Sequence, residues 1–400
     1  MLRILHTADW HIGQKFFGYD RTNEHAVVLR QIEKIILSEK VDVLLISGDL
    51  FDTINPSAEA QKLFLDFCAH IIKDSTGLQV VIIAGNHDSA LRLKAYEDLL
   101  KILGVHIVSS VCNINGIPQY SDLIIPLGKV DSPEAICIAV PYLRSHNLPR
   151  ENSLEESYKT FFQEAFEEAS KRSLPIILMA HLAVSGSQYA SINSSFSPIM
   201  GLMESVSPMI FPTDANYIAL GHIHRKQQLS KDPLIYYAGS PLPLSFTEKK
   251  YEHGMLLIEL EGKETKVKEI SLHPPVQLRI IKGSEEKIRE EIALLPDGRV
   301  TEYSPYLSIV LECDTPRPDL LEDFREITKK KSIRLTTIRR DVVSTNRVNI
   351  ANEQPISFSD LTPIDIAKRY YREQSQGDEM PKELKKIFSQ VVEEVIYEDH

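Results

Sequence analysis

Five segments of this 400-residue chain put metal-ligating side chains directly after apolar runs. Asp9-Trp10-His11 follows Leu2–His6, and Gly48-Asp49-Leu50-Phe51-Asp52 follows Val41–Ile46. Gly85-Asn86-His87-Asp88 follows Gln79–Ala84, His181 follows Ile176–Met179, and Gly221-His222-Ile223-His224 follows Tyr217–Leu220. No thiolate is among them. Imidazole with carboxylate and amide oxygen suits Mn, Fe or Zn and disfavours an all-oxygen Ca or Mg site. Asp9, His11, Asp49, Asn86, His181, His222 and His224 are too many for one ion that keeps an open position. Two ions sharing one carboxylate fit the count. Such a pair, about 3.5–4 Å apart, clamps the attacking and leaving oxygens of a phosphoryl displacement. A lone histidine is usually a satisfied core or surface residue, but five of the 13 histidines fall in these segments.

The segments need elements to position them. The preceding runs are nearly all apolar, as strands covered on both faces are. Between them, residues 57–73 and 152–171 carry apolar residues at three- and four-residue spacing, which predicts helices. The first ~270 residues therefore read as a layered α/β fold, in which ligands collect beyond the carboxyl ends of strands. Gly48, Gly85 and Gly221 precede ligands, where glycine lets the chain turn sharply and approach the ions closely. After His273-Pro274-Pro275 the pattern becomes strand, helix, strand, helix, strand over 276–340. We expect a metal-binding domain over 1–273, a small α+β capping or DNA-binding domain over 274–342 and a linker over 343–357. Two closing helices, Ser359–Arg372 and Pro381–Glu394, fall in a C-terminal piece over 358–400.

Composition excludes several classes. Hydrophobic residues at 43% and charged residues at 25% describe an ordinary globular chain. No run of 18 apolar residues predicts a membrane span, and Met1–Gly13 lacks a signal-peptide pattern. The four cysteines, without a C-x-x-C pair, read as buried free thiols of a reducing cytosol. The net charge of −11 argues against nucleic acid, yet residues 328–340 hold Lys329, Lys330, Lys331, Arg334, Arg339 and Arg340 without an acid. These, with Lys15 and Arg92 beside the metal motifs, are candidate phosphate contacts.

The order D-x-H, G-D-x-x-D, G-N-H-D, H, G-H-x-H resembles the calcineurin-like metallophosphoesterases across roughly residues 3–245. The run Tyr237–Phe246 (YAGSPLPLSF) is similar to their DNA-nuclease branch. The resemblance implies a layered β-sandwich with a small α+β capping domain and C-terminal helices. It implies one metal on Asp9, His11, Asp49 and His224 and another on Asp49, Asn86, His181 and His222. Asp49 would bridge two Mn²⁺ ions, with Fe or Zn fitting the same ligands. His87 would be the catalytic histidine and Asp52 the carboxylate that orients it; Asp88 reads as a ligand-loop brace. The implied enzyme is a DNA phosphodiesterase, a double-strand exonuclease and single-strand or hairpin endonuclease, acting in repair, recombination and replication. It would be cytoplasmic and nucleoid-associated, without membrane contact. A coiled-coil ATPase partner docked by the C-terminal helices and a homodimer within a heterotetramer are also implied.

Two rivals remain. One is a small-substrate phosphodiesterase or phosphatase. Phosphoprotein phosphatases continue G-D-x-x-D-R-G and G-N-H-E, whereas this chain has Asp52-Thr53-Ile54 and His87-Asp88. The other is a non-catalytic scaffold for the ATPase, against which the intact ligand set argues.

Overall fold

The apolar runs become strands because each buries both faces. In the first sheet, Leu5, Leu44, Ile46, Val80 and Ile82 face the helices Thr22–Ser38, Ala58–Asp74 and Ala90–Lys101. Their neighbours Ile4, Val43, Leu45, Val81 and Ile83 face a second sheet, meeting Cys137, Ile177, Met179 and Ala219. The second sheet's far side packs Ile136, Ile138, Leu178 and Ile218 on the helix Leu154–Ser170. The result is helix, sheet, sheet, helix. Serine hydroxyls start several helices: Ser57, Ser89 and Ser153 each accept from a backbone N–H of the first turn.

The computed structural model describes residues 1–341 except 76, 115, 130, 189–204 and 314–317, with isolated positions between 367 and 388. The expected linker 343–357 and most of both closing helices lie outside the described residues, while Ala367, Lys368, Tyr371, Leu384, Lys385 and Phe388 are helical. The first sheet runs Glu264–Ser271, Gly254–Glu261, Leu2–Thr7, Val43–Ser47, Gln79–Ile83, Val105–Val108. The second runs Gln227–Lys231, Leu234–Tyr237, Tyr217–Gly221, Ile176–His181, Ser132–Ala139, Ile124–Lys129. The central strands of each sheet are parallel, with Leu5 opposite Leu44 and Leu178 opposite Ile218. All five metal-type segments therefore leave at carboxyl ends. The hairpin Gly254–Ser271, an antiparallel edge to the first sheet, is not anticipated by the apolar pattern.

Residues 278–341 form three parallel strands, Leu278–Gly283, Tyr306–Glu312 and Arg334–Asp341, with helices Glu285–Ala293 and Pro318–Thr328. They hold their own core around Ile288, Leu307, Ile309 and Phe324. This piece joins the rest of the fold through Phe16, Tyr306, Leu278 and Phe246. Beneath them lies a buried charge cluster. Glu24, 2% exposed, accepts from the Arg21 guanidinium at 2.9 Å and from the Tyr306 hydroxyl at 2.6 Å. Arg334, 4% exposed, lies 3.8 Å over the Tyr306 ring and 3.3 Å from Glu24.

This corrects two expected DNA contacts. Arg334 is walled in by Glu24, Tyr306 and the Ser304 carbonyl, so it reaches no phosphate. Lys331 spends its ammonium on Asp297 and on the Ala293 and Leu295 carbonyls at the end of a helix. Lys329 pairs with Glu326 on the surface. Lys15, Arg92 and Lys330 are exposed. Arg334→Ala takes one of two cations from the buried Glu24, which keeps Arg21, and leaves the Ser304 carbonyl and the Tyr306 hydroxyl without their donor, a loss of about 1–3 kcal/mol. The expected result is a lower urea midpoint with an unchanged salt slope of DNA binding; a reduced slope restores Arg334 as a phosphate contact. The cysteine expectation holds in part: Cys68 and Cys137 are buried, but Cys112 is exposed.

Candidate metal centre

The loops after the strands hold one another by backbone bonds. Asp9 N–H donates to the Gly48 carbonyl at 3.0 Å, and His11 N–H donates to that of Asp49 at 3.0 Å. The His222 N–H reaches the Asp9 carboxylate at 2.9 Å, tying the second sheet to the first. Asp9, His11, Asp49 and His222 adopt left-handed φ of 53°, 45°, 49° and 100°. Non-glycine residues pay conformational strain there, and such strain collects at functional sites.

All three glycines owe their identity to close approach, and a Cβ on Gly48 would stand 2.2 Å from His181 Nδ1. A Cβ on Gly85 would stand 2.2 Å from Asp49 Oδ1, and one on Gly221 would stand 1.9 Å from the Ser47 carbonyl oxygen. Gly48 alone of the three also has a left-handed backbone, at φ 89°.

The ligand candidates converge in two groups, Asp9, His11 and His224 and then Asp49, His181 and His222, and a third group joins His11 to Asp52 and His87. Asp49 Oδ2 stands between them, 3.3 Å from His181 Nε2 and 3.5 Å from His11 Nε2. Asn86 Oδ1 lies 3.1 Å from His181 Nε2 and 3.0 Å from His222 Nδ1. Each ring's other nitrogen sets its tautomer. His181 Nδ1–H donates to the Ser47 carbonyl at 2.8 Å, leaving Nε2 to face Asp49. His224 Nδ1 meets Glu248 at 3.1 Å, and His11 Nδ1 meets Asp52 at 3.2 Å. His11 Nε2 is buried with no hydrogen-bond partner. A buried lone pair aimed at a shared carboxylate is what a metal ligand requires, so the residues fit a divalent pair.

Electrostatics agree. Burial works against charge on Asp49, but the His181, His11 and His87 imidazoles outweigh it and hold the carboxyl well below the usual range. Burial likewise opposes charge on His181, yet Asp49 raises its pKa to about 9. His224 also rises to about 9, against burial, through Glu248. Burial, helped by His181, lowers His222 to about 3. Cations entering here displace protons from His181 and His224, so acid opposes loading.

The structure reassigns Asp52. Its carboxylate orients His11, while its backbone carbonyl, 2.8 Å from His87 Nδ1, holds the exposed His87. Asp88 accepts from the Gly85, Leu50 and Phe51 N–H groups and braces two ligand loops. Glu248 escapes the sequence pattern. It is 6% exposed, braces His224 and also accepts from Leu244 N–H. Its only signal is an acidic residue just after the Tyr237–Phe246 run.

The family of calcineurin-like phosphoesterases matches residues 2–226. A family described as the type 5 capsule protein repressor C-terminal domain matches residues 274–375. Fold, ligand set and match together define a metal-dependent phosphoester hydrolase. The chain is 36% identical over 333 residues to SbcD, the D component of the SbcCD nuclease, of Rhodobacter capsulatus, covering 79% of this chain and 81% of that one. It is 28% identical over 407 positions to the SbcD of Escherichia coli K12, covering 97% of each chain. The Bacillus subtilis 168 protein of the same name is 29% identical over 413 positions, covering 100% of both. The chain belongs to the calcineurin-like phosphoesterases and, within them, to the family of SbcD nucleases.

Proposed function

We propose that the chain is a dinuclear DNA phosphodiesterase, the nuclease member of a complex with an SbcC-type coiled-coil ATPase. The observation that carries this is the convergence of seven ligand side chains from five strand ends, with their ring nitrogens turned inward by Ser47, Asp52 and Glu248. Asp9, His11, Asp49 and His224 would hold one Mn²⁺, and Asp49, Asn86, His181 and His222 would hold the other. The ions supply positive charge that attracts a phosphodiester and acidifies water near neutral pH.

The chain's own groups do the rest. The strained loops fix ligand positions before substrate arrives. His87, its Nδ1–H held by the Asp52 carbonyl, turns Nε2 outward as the general acid for the leaving sugar oxygen. His87→Gln removes that acid while leaving the ligands in place. Turnover should fall about 10²–10⁴-fold, the usual worth of general acid catalysis, with metal content unchanged. Near-normal turnover rejects the assignment.

The test of the whole reading is incubation with hairpin, single-strand and blunt duplex DNA and Mn²⁺, with and without the ATPase and ATP. DNA cleavage, enhanced by the ATPase and losing that enhancement when residues 356–400 are deleted, is expected. Hydrolysis of a small phosphodiester with no DNA cleaved under any condition favours the small-substrate rival instead.

A homodimer has a candidate surface. Leu91, Ala95, Leu99 and Ile102 recur at three- and four-residue spacing along one helix, and all are exposed, Leu91 at 80% and Ile102 at 85%. Light scattering should give a dimer mass for the native chain and a monomer mass for Leu99→Glu with Ile102→Glu. An unchanged dimer places the interface elsewhere.

A further inference from the structure

A cleft of about 710 Å³ opens directly off the metal centre at Asn86 and His222. Its size falls in the range of small-ligand sites, yet the ligand motifs contribute only Asn86 and His222 to its lining. The walls come from the segment after the Ser132–Ala139 strand and from the start of the helix Leu154–Ser170. They carry Tyr142, Leu148 and Tyr158, flat or apolar side chains that no step above uses. The Tyr142 ring stands edge-on to the His181 imidazole, centroids 6.4 Å apart, and is 37% exposed. Its backbone N–H donates to the Ala84 carbonyl at 2.8 Å, so this wall is pinned to the strand that delivers Asn86. Tyr158 lies stacked against the fully buried Phe162, centroids 6.2 Å apart, which fixes the opposite wall.

Resting on the nuclease reading, we propose that this cleft receives an unstacked nucleobase of the strand being cut, from a nucleotide flanking the scissile phosphodiester. The phosphate sits over the ligands, and the adjoining base slides between aromatic and aliphatic walls. Every base has a π-face, so such a pocket takes any base without reading sequence. Arg144 supplies charge at the rim. It is exposed, and its guanidinium has no acidic partner among the described residues, which suits a neighbouring phosphate. A paired base does not enter, because its partner would have to follow. The cleft therefore selects strands that are single, looped or frayed at the cut.

The experiment uses the full chain with Mn²⁺ and an end-labelled single strand. One internal nucleotide is either normal or a tetrahydrofuran abasic residue, and cleavage at its two flanking phosphodiesters is read band by band. The native chain should cut one flanking bond about five- to a hundredfold more slowly when the base is absent, the usual worth of base–aromatic stacking. Tyr142→Ala and Leu148→Trp should bring that ratio toward one, and Tyr142→Phe should keep it. A general structural defect lowers both substrates together and leaves the ratio intact. A native ratio near one at both bonds, or a ratio that survives Tyr142→Ala, overturns the pocket and leaves the nuclease reading standing. Failure to cut either strand, while methyl p-nitrophenyl phosphate is hydrolysed, overturns the nuclease reading and the pocket with it.

Discussion

Asp49→Asn should lower phosphodiester hydrolysis at least about a thousandfold and reduce bound metal from two ions per chain to one or fewer. Loss of a single group acting only on outer ligands costs about 10–100-fold, and Asp49 is far more central. Its Oδ2 faces rings of both ligand groups, 3.3 Å from His181 and 3.5 Å from His11, while Oδ1 accepts the His87 N–H at 2.9 Å. The amide replaces a two-oxygen acceptor with one oxygen and a donor, so it cannot bridge. It also removes half of the carboxylate charge that Asp9 and Asp49 set against the ions. The His181 pKa should fall, because Asp49 is what lifts it against burial. Metal analysis and hydrolysis of bis(p-nitrophenyl) phosphate read the two effects separately. Two retained ions with near-normal turnover would show that Asp49 does not bridge.

Gly221→Ala should abolish activity by a different route. The new methyl would overlap the Ser47 carbonyl oxygen at 1.9 Å and crowd His181 Nδ1 at 2.9 Å. Ser47 is the buried last residue of a central strand of the first sheet, so its backbone cannot swing aside as a flexible side chain would. Overpacking usually costs about 1–3 kcal/mol, and contact with rigid backbone places this case at the upper end or beyond. The two sheets are forced apart where His181 is oriented, so metal content and urea midpoint fall together. Gly18→Ala is the contrast. Gly18 has φ +86° with nothing within 4 Å of its added Cβ. It should lose about 1 kcal/mol for its left-handed backbone and keep its metals. If Gly221→Ala kept full metal content, close sheet approach would not be what the site needs.

The metal centre was legible because each ligand stands immediately beyond an apolar run. A strand that buries both faces announces itself in composition, and its carboxyl end then locates the ligand without any knowledge of partners. The second α/β piece was visible for the same reason, and the order strand, helix, strand, helix, strand expected over 276–340 is the order found. The edge hairpin at 254–271 was not, since its outer strand alternates exposed and half-buried residues. Glu248 was also invisible. It is 24 residues from His224 in sequence, and only the fold makes them neighbours.

Residue type and spacing alone determined the layered α/β architecture, the seven ligand candidates and the exclusion of thiolate chemistry, because local apolar pattern and donor chemistry need no distant partner. Tertiary structure alone decided what the charged residues do. Arg334 belongs to a basic run by sequence and to a buried pair with Glu24, 310 positions away, by structure. Asp52 orients His11 with its carboxylate and His87 with its carbonyl, a division set by which ring the folded loop brings to each oxygen. The function of a charge depends on its solvation and its partner, and both are properties of the folded chain.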